Sequence, residues 1–424
     1  MTLKTSTAAA LLLGASALPA LADCPVKVGV LHSLSGTMAI SETTLKDTML
    51  MLIDEQNAKG GVLGCDIEAV VVDPASDWPL FAEKARELLT VHEVDVIFGS
   101  WTSVSRKSVL PVIEELNGLL FYPVQYEGEE SSKNVFYTGA APNQQAIPAT
   151  DYYLEELEVE KFALLGTDYV YPRTTNKILE QYLKDAGIPE SDIFVNYTPF
   201  GHSDWSKIVA DVVALGADGK KVGVISTING DANIGFYKEL AALGVSADDI
   251  PVVAFSVGEE ELSGLDTANL VGHLAAWNYF QSAESDANDG FIDAWKARMG
   301  DARVTNDPME AHYNGFNMWV NAATTADSTD VDAVRTAMYG QEFPNLTGGT
   351  AVMLPNHHLA KPVLIGEIQD DGQFDIISQT AEVPGDAWTD FLPESAVLKS
   401  DWKDLGCGMY NTETSTCVQL KSNY

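Results

Sequence analysis

Short β-branched, apolar runs alternate with helix-length segments along almost the whole chain, and this alternation limits the fold more than any other feature. Val26–Leu31 reads as a buried strand, Glu42–Lys59 as a helix closed by Gly60-Gly61, and Ile67–Val72 as a strand. Leu80–His92 reads as a helix, Val94–Phe98 as a strand, Ser105–Asn117 as a helix whose main segment starts at Pro111, and Leu119–Tyr122 as a strand. A second series begins near Gln144. It runs through helix Gln144–Leu157, strand Phe162–Leu165, helix Thr174–Ala186, strand Ile193–Tyr197 and helix Ser206–Leu215. Strand Val222–Ser226, helix Ala232–Leu243 and strand Pro251–Phe255 complete it. The pattern changes from Gly272: strand Ala275–Phe280, helices Asp289–Met299, Met309–Ala326 and Val331–Tyr339, then Lys361–Gln369 and Phe374–Ile377 as antiparallel strands.

Apolar strands separated by helices are covered on both faces and build parallel sheets. Some 400 residues also exceed one ordinary core. The expected fold is α/β, with two doubly wound parallel-sheet lobes joined by a multi-crossing hinge. Lobe I takes residues 23–142 and 277–353, lobe II takes 143–276 and 354–400, and 401–424 form a C-terminal tail. Crossings are expected near Ala141–Asn143, Val271–Trp277 and Met353–Pro355.

The first residues carry a secretory pattern. Lys4 precedes an apolar core from Ala8 to Leu18, too short to span a bilayer, and Ala20-Leu-Ala22 fits a cleavage site. Cleavage after Ala22 and a periplasmic location are expected. Lipidation of Cys24 is the alternative, disfavoured by Asp23. In an exported chain the four cysteines make two disulfides plausible. Cys407 and Cys417 lie close enough to pair, which leaves Cys24 for Cys65. Zinc is the competitor, but the chain has no C-x-x-C, and His357-His358 lacks the spacing of a metal site.

Removal of Lys4 leaves 24 basic against 61 acidic side chains, a net of −37. That balance opposes binding of nucleic acid, whose phosphates would be repelled. The acidic residues are scattered, as on a solubilising surface.

Ligands of open α/β sheets bind beyond the carboxyl ends of strands. Several strand ends here carry aromatic, hydroxyl and amide groups: Trp101, Thr102, Ser103 and Ser105 after one strand, Tyr122, Gln125 and Tyr126 after the next, and Tyr169 and Tyr171 in the second series. Ser103 and Ser105 can each cap a helix or face a ligand. Asn229 and Glu259 or Glu260 end two further strands, where the acids can equally form a helix first turn. His32-Ser-Leu-Ser-Gly-Thr37 offers more hydroxyls, and Arg173 opens a helix. No nucleophile stands with a base: Gly201-His-Ser-Asp-Trp205 holds His, Ser and Asp together, yet neighbours in sequence seldom form a triad. The set suits holding a small uncharged molecule, with no catalytic residue, cofactor or metal.

Trp101-Thr-Ser-Val-Ser-Arg-Lys107, Leu120-Phe-Tyr-Pro-Val-Gln-Tyr-Glu-Gly128, Gly139-Ala-Ala-Pro-Asn-Gln-Gln145, Asp168-Tyr-Val-Tyr-Pro-Arg173 and Asn229-Gly-Asp-Ala-Asn233 carry a resemblance. In these segments, and from Val26 to about Asp401, the chain resembles the amide- and urea-binding branch of the type I periplasmic solute-binding proteins. The resemblance is closest to the urea receptors of bacterial ABC transporters. It implies the type I periplasmic binding fold, an ABC permease as partner, and ligand contacts at Trp101, Ser103, Tyr122, Val124, Gln125, Tyr169 and Tyr171. Short aliphatic amides such as formamide and acetamide are the alternative ligands. Trp101 stands where the amide-sensing relatives carry tyrosine, and Val124 where they carry threonine, substitutions that suit the urea receptors better.

Overall fold

The computed structural model describes residues 24–418. The expected signal peptide and its cleavage site after Ala22 lie outside the described residues. The first series forms β1 (Val26–Leu31), α1 (Ala39–Ala58), β2 (Ile67–Val72), α2 (Trp78–Thr90), β3 (Val96–Gly99), α3 (Ser103–Glu115), β4 (Leu120–Tyr122) and β5 (Val135–Tyr137). The five strands make one parallel sheet in the order β2-β1-β3-β4-β5. β1 and β3–β5 are almost wholly buried, as strands covered on both faces must be. Pro111 does not begin α3 but lies inside it. It is exposed, so water can take the carbonyl that the missing N–H leaves free.

The second series forms α4 (Ala146–Glu155), β6 (Lys161–Thr167), α5 (Val170–Asp185), β7 (Ile193–Thr198), α6 (Ser206–Leu215), β8 (Val222–Thr227), α7 (Ala232–Ala242), β9 (Val252–Ala254), α8 (Glu259–Leu262) and β10 (Leu274–Trp277). Its parallel strands lie in the order β7-β6-β8-β9-β10. Both lobes therefore place their second strand outside the first and their third on the other side. The chain then returns through α9 (Asp286–Met299), α10 (Asp307–Ala326) and α11 (Val331–Met338), whose apolar faces join the first core. β11 (Glu342–Pro344), β12 (Thr350–Met353) and β13 (Leu359–Lys361) begin a small antiparallel sheet. β14 (Leu364–Ile368) and β15 (Phe374–Gln379) extend the second sheet antiparallel, β16 (Val383–Pro384) goes back to β13, and β17 (Leu398–Asp401), β18 (Cys407–Asn411) and β19 (Thr416–Cys417) form a C-terminal ribbon.

The sheets put the later crossings further along than the sequence pattern predicts. The second falls after Trp277, at Asn278, and the third at Lys361–Leu364 instead of Met353–Pro355. A fourth, between Gln379 and Val383, returns the chain to the small sheet, so residues 364–379 and not 354–400 belong to the second sheet. The hinge is polar. Asn278 Nδ2 donates to the Gln144 carbonyl at 3.1 Å and to the Pro362 carbonyl at 2.8 Å, tying three crossing segments at one side chain.

Both disulfides are present, Cys24–Cys65 and Cys407–Cys417. The first closes a loop with a sequence separation of 41 and holds the start of β1 beside β2. In the chain-entropy account such a loop stabilises by about 4 kcal/mol. Replacing both Cys24 and Cys65 by Ser should lower the unfolding free energy, measured in urea-free guanidinium titrations, by about that amount, and a loss below about 1 kcal/mol would contradict the assignment.

Candidate functional site

In a sheet of this strand order the crevice opens where the order reverses, between the first and third strands. In the first lobe β1 and β3 meet there so closely that a Cβ on Gly99 would stand 2.2 Å from the Leu31 carbonyl oxygen. The next residue, Ser100, takes φ 66°, a left-handed conformation that costs an L-residue about 1–2 kcal/mol. Its N–H bonds the Leu31 carbonyl at 2.9 Å. The bend turns the chain off β3 into α3. Thr102 caps that helix, its Oγ accepting from the Ser105 N–H at 3.1 Å. Neither Ser103 nor Ser105 is the cap, which leaves Ser103 in the first turn with its hydroxyl directed elsewhere.

The structure brings most of the expected residues together. Trp101, Ser103, Tyr122, Gln125 and Tyr171 are buried, and Tyr169 is half-buried. The Tyr122 hydroxyl donates to the Trp101 carbonyl and fixes β4 against the end of β3. Gln125 Nε2 reaches across the cleft to Ser256 Oγ beyond β9 at 2.7 Å. The Tyr171 hydroxyl lies beside Gln125 and Ser256 without a well-formed hydrogen bond of its own. Tyr169 packs 6.1 Å from Tyr171 and 5.0 Å from Phe200, ring to ring, and Phe200 meets Trp78 of the first lobe at 5.4 Å. The lobes thus touch across the crevice. Burial pushes the Tyr122, Tyr169 and Tyr171 hydroxyls well up, so all three remain protonated donors at neutral pH.

Three buried polar atoms of this group have no partner: Trp101 Nε1, Gln125 Oε1 and the Tyr171 hydroxyl. An unmet buried group costs about 1–3 kcal/mol, a cost that a ligand pairing with this set would relieve. It offers a donor, an acceptor and a hydroxyl that can be either.

Behind it lies a charge cluster that sequence reasoning missed. Arg106 is completely buried. Its Nε bonds Glu130 at 2.8 Å, its Nη2 reaches Glu127 at 3.3 Å, and its Nη1 donates to Ser103 Oγ at 3.1 Å. Ser103 Oγ in turn donates to Glu127. Lys107 joins from the rim, 2.7 Å from Glu130 and 3.7 Å from Glu127. The guanidinium carbon sits 4.6 Å above the Tyr122 ring and 4.8 Å from that of Tyr126. Burial works against every charge here. The neighbouring cations overcome it at Glu130, holding that carboxyl well below the usual range, and the two carboxylates keep Arg106 and Lys107 firmly protonated. The clue available in the sequence was the Ser103…Arg106 spacing, which puts both on one helix face, followed by Glu127-Gly-Glu-Glu130.

Asn229 and Glu259 are buried and bonded to other groups, Glu259 through one oxygen only, its Oε2 having no partner. Asn229 Nδ2 donates to its own strand's Thr227 carbonyl at 3.0 Å, and its N–H bonds Thr167 Oγ1 at 2.9 Å, which stitches the β6 and β8 ends together. Glu259 accepts from the Gln281 N–H at 2.6 Å, in the segment that follows the second crossing. It lies near Glu261 and Asp307, and Glu261 accepts from Ser41 of the first lobe at 2.6 Å. Arg173 is exposed and paired with Asp168, and His202 is half-buried, while His357 and His358 are buried and stacked on Phe136 and Tyr137. Among the described residues no three His, Cys, Asp or Glu side chains gather as metal ligands.

The family described as "periplasmic binding protein domain" matches residues 26–394. Leu/Ile/Val-binding protein homolog 7 of Brucella melitensis biotype 1 is 26% identical over 350 residues, 78% of this chain and 84% of that protein. A stretch of 134 residues is 33% identical to limonene hydroxylase of Geobacillus stearothermophilus, covering 31% of this chain and only 24% of that one. Among solved structures, a leucine-binding protein of Thermotoga maritima superposes with a TM-score of 0.71 at 16% identity, over 84% of this chain and 98% of its own. An ABC-transporter solute-binding protein of R. palustris in complex with 4-hydroxybenzoate gives 0.72 at 19% identity, over 85% and 98%. At these identities the structural likeness is one of fold.

The acids beside the hinge make stability depend on pH. Burial raises Glu259 to about 8 and Glu261 to about 7, so the folded chain holds protons that the unfolded chain has released. A raised carboxyl loses its stabilising contribution as pH climbs from its ordinary value to the raised one. Burial lowers His273, to about 4, and His358, to about 4, and these act in the opposite sense only below about 6.5. From about pH 6.5 to 8 the acids act alone, so the melting temperature of the ligand-free protein should fall across that interval. A flat or rising melting temperature there would contradict the assignment.

Proposed function

This chain belongs to the periplasmic binding protein family, and we propose that it captures urea in the cleft between its lobes and delivers it to the membrane subunits of an ABC importer. Like the solute receptors it resembles, it is not an enzyme. Membership of that family supports a periplasmic location. The observation that carries the choice of ligand is the unpartnered set of Trp101 Nε1, Gln125 Oε1 and Tyr171 hydroxyl, beside a charge cluster that balances itself.

Urea presents one acceptor oxygen and four N–H bonds on a flat, neutral frame. Its oxygen suits Trp101 Nε1–H, its N–H groups suit Gln125 Oε1 and the Tyr171 oxygen, and the rings of Trp101, Tyr169 and Tyr171 supply flat walls. Ser103 and Tyr122 serve one step back, holding Glu127 and the Trp101 carbonyl. A carboxylate ligand fits this arrangement poorly. It brings no donor for Gln125 Oε1, and the two cations of the cluster are already taken by Glu127 and Glu130. Short amides carry the same carbonyl and fewer N–H bonds, which makes acetamide and formamide the second reading, favoured because only Gln125 Oε1 and the Tyr171 oxygen are assigned to receive N–H bonds. A site built around hydrogen bonds rejects an analogue that leaves one unmet.

Urea has four heavy atoms, and about 1.5 kcal/mol per atom bounds very small ligands. The expected dissociation constant is therefore on the order of tens of micromolar. Calorimetry of unfolded, ligand-stripped and refolded protein should show saturable urea binding in that range, weaker acetamide, and no leucine heat. Trp101→Phe, which keeps the ring and removes the N–H, should weaken urea binding by about tenfold, the equivalent of one buried hydrogen bond. Binding of leucine with urea silent would refute the reading.

A further inference from the structure

The cluster behind the cleft has an unusual charge balance. Two cations, Arg106 and Lys107, meet two carboxylates, Glu127 and Glu130, in direct ion pairs between 2.7 and 3.7 Å long. The next carboxyl along, Glu129, turns to Ser395 of the C-terminal segment and takes no part. Tyr137 adds a neutral donor to Glu130 at 2.9 Å, and Tyr126 is held by His358 at 2.6 Å. The cluster is not remote from the cleft. Glu127 and Arg106 are within electrostatic reach of the Tyr169 hydroxyl, Glu127 also of Tyr171, and Ser103, two residues after Trp101, bridges the two charges.

We infer that this pairing is the specificity device of the site: Glu127 and Lys107 hold the floor of the cleft electrically neutral, so that it takes a neutral planar ligand and refuses anions and cations of the same shape. The inference rests on the urea reading and deepens it. Urea, acetate and guanidinium are near-isosteric and differ in charge by one unit each way, so shape alone separates them little. Acetate at neutral pH would meet Glu127 across a poorly screened gap, and guanidinium would meet Arg106. A buried arginine with no counter-ion would attract carboxylates; Arg106 and Lys107 balanced by Glu127 and Glu130 carry no net charge and attract neither sign. Ser103 is a positioning residue here, since its hydroxyl takes the Arg106 proton donor and gives its own to Glu127.

Removing one charge should therefore move selectivity in a set direction. Glu127→Gln keeps the shape and an acceptor for Ser103 but leaves the cluster one unit positive. Lys107→Met keeps most of the stem, sits at a rim position with 24% of its side chain exposed, and leaves the cluster one unit negative. A unit charge a few ångströms away in protein is enough for an effect on the order of tenfold or more. Full-length, ligand-stripped wild type and both variants are titrated with urea, sodium acetate and guanidinium chloride at pH 7 and constant ionic strength, with melting curves as the check of folding. The expected result is urea preferred by wild type, an acetate-to-urea affinity ratio raised at least tenfold in Glu127→Gln, and a guanidinium-to-urea ratio raised at least tenfold in Lys107→Met. If Glu127→Gln does not fold, the Lys107→Met arm decides alone. Wild type that binds urea together with folded variants whose ratios move less than threefold overturns the inference and leaves the urea reading standing. Wild type that binds none of the three overturns the reading and the inference with it.

Discussion

A guanidinium with no exposed surface lies at the root of α3, and the geometry of the cleft depends on how it is paid for. Removing an ion from water costs several kcal/mol, recovered only if its partners are well placed, and removing one partner of such a pair costs about 3–5 kcal/mol. Arg106 meets the condition by gathering Glu127 and Glu130 from the β4–β5 connection, Ser103 from its own helix, and the faces of Tyr122 and Tyr126. Those bonds hold α3 and the loop after β4 in one arrangement. Trp101 and Gln125 stand on the held segments, so their unpaired atoms are held in place with them. Such pre-organisation lowers the ordering cost of binding a small ligand.

The second lobe supplies the lid. Tyr169 and Tyr171 follow β6 and Ser256 follows β9, all at carboxyl ends of strands in a sheet wound like the first. Gln125–Ser256, Ser41–Glu261 and Trp78–Phe200 join the two lobes across the crevice, the arrangement of a closed receptor. The crossing segments are bound by side chains reaching to backbone carbonyls: Asn278 to Gln144 and Pro362, Gln145 to Ala276, and Gln144 to Leu359.

Much of this was legible in the sequence where the signal was an unbroken apolar run between turns. Val26–Leu31, Ile67–Val72 and Ser206–Leu215 fall where the pattern puts them. β5, with three residues, and the small sheet β11–β13 with β16 were missed, because strands that short carry no periodicity. The aromatic and hydroxyl residues at strand ends could be placed at the crevice because the topology of parallel sheets puts strand ends there. Their hydrogen-bond partners could not. Arg106 stands in a quoted segment, yet that its charge is spent on Glu127 and Glu130, more than 20 positions on, is a fact of packing. For the same reason Asn229 and Glu259 could be placed at strand ends, but not in the local strand and hinge bonds that occupy them.

The central claim is that a neutral, planar amide binds to Trp101, Gln125 and Tyr171, and a crystal structure of the protein grown with urea tests it most directly. The account predicts a four-atom planar ligand with its oxygen at hydrogen-bond distance from Trp101 Nε1 and its nitrogens facing Gln125 Oε1 and the Tyr171 hydroxyl, with the Arg106–Glu127–Glu130 pairs intact. A ligand carboxylate bound to Arg106 in place of Glu127, or a cleft that closes with urea absent from it, would contradict the account.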